Sequence, residues 1–166
     1  VAEEFELKPI HQTGVEAAIA RAEHYRLLNQ PQQAESICLD VLEVDRGNQR
    51  ALVVLTLAIT DQFAGAGSSG GPARAQAYLD QLDDEYERAY YRGIVAEREA
   101  RAYLERGHAR VFAYEGFREA MAWFEKAAEL SPPGNDDAIL RWNSCVRTIR
   151  RENLQPRPEE PELRLE

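Results

Sequence analysis

"ALVVLTLAITDQFAGAGSSGGPARA", residues 51–75, is the stretch on which the fold turns. Gly65, Gly67 and Gly70 stand in the spacing G-x-G-x-x-G, which lets a backbone approach a pyrophosphate when a buried strand feeds the loop and a helix opens behind it. The residues in front do not supply that strand. "ALVVLTLAITDQF" is too long for an ordinary strand, and Leu52, Leu55 and Ile59 keep a helical rhythm, predicting a helix over residues 49–62. No alternating strand or hairpin signal occurs elsewhere in the chain, so a dinucleotide-binding unit has no strands to be built from. A nucleotide-binding enzyme using residues 65–70 is thus a remote alternative. The glycines read instead as a helix terminator and mobile connector, with Pro72 in the first turn of a helix "PARAQAYLDQL".

Working outward, residues 15–29 carry Val15, Ala18, Ile19, Ala22, Tyr25 and Leu28 at three-and-four spacing. Pro31 starts a second helix, marked by Ala34, Ile37, Cys38, Val41, Leu42 and Val44 and punctuated by Asp45, Arg46, Gly47 and Asn48. A long helix is expected over residues 84–106, where Ala89, Gly93, Ala96 and Ala100 form a stripe of small residues on which another helix can lie close. The segment from Gly107 and His108 through "ARVFAYEG" reads as a bend or a short helix. Residues 116–130 form the next helix, "SPPGN" breaks it, and Asn135 or Asp136 caps a last helix over residues 136–153. From Gln155 on, "QPRPEEPELRLE" has a disordered composition.

At 166 residues the chain fits one domain, which buries roughly two thirds of its unfolded surface without staples. The expected organisation is an N-terminal extension over 1–14, a helical domain over 15–152 and a Pro/Glu-rich tail over 153–166. Twenty basic against 29 acidic residues give a net charge of −9, which opposes nucleic acid. The uncharged apolar stretch of residues 51–60 is far short of a membrane span, so the protein is expected to be cytoplasmic without direct membrane insertion. Cys38 and Cys145 lie in apolar helical contexts and read as buried thiols rather than a bridge or a metal site. His11, His24 and His108 are scattered, and no H-E-x-x-H, G-x-S-x-G or P-loop lysine appears, so neither catalytic residues, metal nor cofactor are expected. The acidic run Asp83, Asp84 and Glu85 reads as a helix cap.

A period of 34 residues relates Ala18 and Tyr25 to Leu52 and Ile59, and the boundary residue Asn48 to the loop that follows the next helix pair. "AMAWFEKAAELSP" places Ala120, Phe124, Ala127 and Pro132 as small, aromatic, small and proline positions of a second helix. Near the N-terminus Tyr25 is followed nine residues later by Ala34, with Cys38 and Val41 in the aromatic and small places, and Ala75 and Leu79 anchor the second helix of the middle unit. On these residues the chain resembles the tetratricopeptide repeat family over residues 15–151. It departs from the family's pattern at Ala18, Arg21 and Arg46, where tryptophan, leucine and proline are usual, and the middle and third units are stretched. The resemblance implies an all-α, right-handed superhelix of about three helix-turn-helix units plus a C-terminal capping helix.

In that family the first helix of each pair lines a groove that holds a peptide or partner helix. The resemblance implies a partner-binding groove of Glu16, Ile19, Glu23, Arg26, Leu27, Arg50, Val53, Leu57, Asp61, Tyr90, Tyr91 and Ile94, the two tyrosines being the strongest anchors. Relatives that grip a chaperone's terminal carboxylate use cationic inner positions. Here the matching positions are Ile19, Glu23 and Val54, so that clamp is missing. The implied function is a non-enzymatic protein-interaction scaffold, the alternative a bacterial secretion-type chaperone for an exported client. Leu163 and Leu165 in "PELRLE" offer anchors by which the tail would join a homo-oligomer.

Overall fold

The computed structural model of the chain describes residues 4–65, 71–107 and 110–159. Among them the regular structure is helical, with no strand. A 3-10 turn, Gln12–Gly14, leads into α1 (Val15–Leu27), α2 (Pro31–Val44), α3 (Gln49–Thr60), α4 (Gly71–Leu79), α5 (Glu85–Glu105), α6 (Arg110–Leu130) and α7 (Asp137–Arg151). Each helix packs on the next in sequence, and α1 also meets α3, as α3 meets α5. Short connections make successive helices antiparallel neighbours.

Local chemistry sets the boundaries. Asn48 caps α3 by accepting the Ala51 N–H at 2.9 Å, and Asp84 caps α5 by accepting that of Glu87 at 2.9 Å, so the acidic run serves as the expected cap. Asn135 Oδ1 accepts the Asp137 N–H at 3.1 Å at the head of α7. Asn29 and Asn153 both adopt positive φ, 57° and 50°, closing α1 and α7. Behind each, an N–H reaches back five residues, Gln30 to the Tyr25 carbonyl and Leu154 to that of Ile149. The second of these returns Leu154, within the stretch read as tail, to the core, where it is buried.

Helix α3 is the most enclosed element. Ala51, Leu52, Val54, Leu55, Thr56, Ala58, Ile59 and Thr60 are all buried, which explains its nearly charge-free sequence. With α1, α2 and α4 it forms one core, in which Ile19, Ala34, Cys38, Val41, Ala75 and Leu79 are fully enclosed. A second core joins α5, α6 and α7 around Phe117 and Phe124. The small-residue stripe on α5 works as its spacing predicts: a Cβ on Gly93 would lie 2.5 Å from the Phe124 ring. Ala100 meets Gly116 of α6 closely too, since a Cβ there would lie 2.9 Å from the Ala100 Cβ.

Two expectations need correction. Helix α6 starts at Arg110, six residues before the expected helix start at Gly116, because Gly116 is a contact point against α5 and not a boundary. Helix α4 stops at Leu79, before the end of "PARAQAYLDQL". The strand required in front of the glycine loop is instead α3, whereas the loop conformation itself, at residues 66–70, lies outside the described residues, as do His108 and the anchors Leu163 and Leu165.

Candidate functional site

The odd-numbered helices present a shared wall. On α3 and its C-cap residue, Val53, Leu57 and Asp61 recur every four residues and so fall on one face, opposite the buried Leu52, Leu55 and Ile59. Val53 and Leu57 meet Tyr91 of α5 to make the apolar floor of an open cavity of about 440 Å3, rimmed by Glu23 and Arg26 of α1, Arg50 of α3 and Glu87 of α5. Burial first, then the nearby Glu87, pushes the Tyr91 phenol up to about 12, so it stays a neutral hydroxyl with a donor to offer. Arg50 is committed to the rim: its Nε and Nη2 donate to the two Glu23 oxygens at 3.0 and 2.6 Å, and Nη1 reaches Glu16 at 3.4 Å.

Arg26 also borders a second, larger cavity of about 520 Å3, lined chiefly by Leu27, Asp61, Arg98, Arg101 and Arg141. Two carboxylates organise it. Asp61 accepts Arg26 Nε at 2.7 Å and Nη2 at 3.2 Å, and Arg98 Nη1 at 2.9 Å, so one side chain at the C-terminal end of α3 ties α1 to α5. Glu97, with no exposed surface, accepts Arg101 Nη2 at 2.8 Å and faces Arg141 Nη1 at 3.4 Å, tying α5 to α7. Arg101 also donates to Ser144 Oγ at 3.3 Å and lies over the Phe117 ring.

Most of the expected groove residues therefore sit on this wall. Glu23, Arg26, Leu27, Arg50, Val53, Leu57, Asp61 and Tyr91 line or rim the two cavities, and Glu16 reaches the wall only through its ion pair with Arg50. Ile19 and Ile94 do not: they are 0% and 1% exposed, in the first and second cores respectively, and can touch no ligand. Tyr90 stacks with Tyr86 at 5.8 Å and packs on Phe124 at 5.9 Å, so it serves the α5–α6 interface.

The sequence reading missed Glu97, Arg98, Arg101 and Arg141. The available signal was the pair Glu97 and Arg101, four residues apart in the arginine-rich "EREARAYLER". Both cysteines are free and buried, and desolvation pushes each thiol up to about 12. Among the described residues no helix is long and apolar enough to cross a membrane, and no cluster of three or more His, Cys, Asp or Glu side chains has a metal-holding arrangement. No protein-family model matches the chain, and no curated protein matches it by sequence.

Proposed function

We propose that this chain is a cytoplasmic, non-enzymatic scaffold of the tetratricopeptide type, a right-handed superhelix of helix pairs that holds a peptide or helical segment of a partner protein against α1, α3 and α5. The supporting observation is the cavity floored by Val53, Leu57 and Tyr91 and rimmed by Glu23, Arg26, Arg50 and Glu87. An apolar floor between charges of both signs suits an amphipathic segment, whose apolar side chains seat on the floor while its polar groups meet the rim. A photo-crosslinking residue at Leu57 tests this against one at Gln33, exposed on α2. A discrete adduct from Leu57, absent from Gln33 and lost in a Val53→Asp background, is the expected result. Equal labelling at both positions, or none at Leu57, overturns the reading.

A further inference from the structure

The larger cavity carries a charge of its own. Four guanidiniums, Arg26, Arg98, Arg101 and Arg141, face it from three helices, while Asp61, Glu97 and Glu105 are the carboxylates beside them. In a chain with a net charge of −9 this is a local excess of cation. The arginines are also held ready. Arg98 gives one N–H to Asp61 and is 31% exposed; Arg141 gives one to Glu97 and is 37% exposed. A guanidinium has five N–H groups in a fixed fork, so one anchored from behind still presents donors to a second carboxylate in front. Leu27, 85% exposed at the cavity edge, adds an apolar contact.

The chain itself contains the complementary segment. "PEEPELRLE", residues 158–166, has Glu159, Glu160, Glu162 and Glu166 against the single Arg164, with Leu163 and Leu165 beside the acids. Pro158 and Pro161 disfavour a helix there, which lowers the ordering cost of binding as an extended strand. The stretch before it leaves the body along α6: Leu154 is buried in the second core and Arg157 Nη2 lies 3.6 Å from Glu115. Among the described residues, helix α6 contributes nothing to the cavity wall.

We propose that the carboxylates of residues 158–166 of one copy of this chain bind the arginine cavity of a second copy. This rests on the groove reading above and names one occupant for its arginine end. Sedimentation of the full chain at low and high salt tests it. Association is expected to rise with concentration, to fall with salt, and to weaken about tenfold both in the double variant Arg98→Gln, Arg141→Gln and in a chain with Glu159, Glu160 and Glu162 changed to Gln. Each arginine change leaves its carboxylate one remaining partner, Arg26 for Asp61 and Arg101 for Glu97, so the fold is retained and circular dichroism checks it. A chain that stays monomeric, or associates equally well with both sets of changes, overturns the proposal. So does a monomeric chain that binds a poly-glutamate peptide through the same arginines, which would give the cavity to a foreign acidic segment. The adduct at Leu57 tests the cavity that neither Arg98 nor Arg141 lines, so the groove reading and this one can fail separately.

Discussion

Gly93 of α5 lies directly under the ring of Phe124 of α6, so closely that a methyl group on Gly93 would stand 2.5 Å from Cε1 and 2.7 Å from Cδ1. Phe124 has no exposed surface and therefore no free direction in which to swing. Replacing glycine by alanine inside a helix ordinarily gains about 1 kcal/mol. Here overpacking reverses the sign, and Gly93→Ala is expected to cost about 1–3 kcal/mol in denaturant unfolding. Adding Phe124→Leu to Gly93→Ala should recover part of that loss, the mark of a shared contact.

Glu97 and Arg101 should respond unequally to removal. Arg101→Met leaves the fully enclosed Glu97 carboxylate with only the 3.4 Å contact to Arg141, and a loss of about 3–5 kcal/mol is expected for an unbalanced buried charge. Glu97→Met strands Arg101 and Arg141, but these are 35% and 37% exposed and water can take the place of the carboxylate. The second variant should be clearly the more stable of the two. Equal thermal midpoints would show that the enclosed carboxylate is not what makes the pair costly to break.

The buried thiols predict an alkaline limit. Cys38 and Cys145 ordinarily ionise near 9.0, and burial raises both to about 12 in the folded chain. Between these values the unfolded chain releases protons that the native chain keeps, so stability is full below pH about 9 and falls as pH rises towards about 12. Each thiol contributes at most about 1.4 kcal/mol per pH unit in that window. Tyr91, raised from 10.0 to about 12 chiefly by burial, adds the same trend above pH about 10. The slope of unfolding free energy against pH should flatten in Cys38→Ala. At neutral pH neither thiol should react with a thiol reagent until denaturant is added.

Adjacent tyrosines should separate stability from binding. Tyr90→Leu removes ring contacts to Tyr86, Tyr91 and Phe124 and should lower the thermal midpoint, each lost aromatic pair being worth about 0.5–1.5 kcal/mol. Tyr91→Phe keeps its ring and loses only the hydroxyl on the cavity floor. Its expected signature is a normal midpoint with weaker labelling of a partner from Leu57.

The helices were legible because their apolar residues recur with helical spacing and their ends carry local signals: Pro31 opening α2, Asn48 and Asp84 capping α3 and α5. Gly116 misled because glycine is locally a breaker, and only the neighbouring helix reveals that it is needed for contact with Ala100. Ile19 could have been excluded from the wall by spacing alone. It lies four residues after Val15 and three before Ala22, on the face that the same pattern assigns to the core. The arginine cavity had no such signature. Arg26, Arg98 and Arg141 come from three helices, and Asp61 meets Arg98 across 37 residues of sequence, so only the packed chain brings them together.

Asp61 also limits how the wall can deform. Because one carboxylate clasps Arg26 on α1 and Arg98 on α5, any twist that parts those two helices must tear a charged clasp at one side or the other. The wall is thereby stiffened, so that if a segment docks here as proposed, one whose curve already matches would seat without work and one that needs the wall to bend would have to supply that work itself.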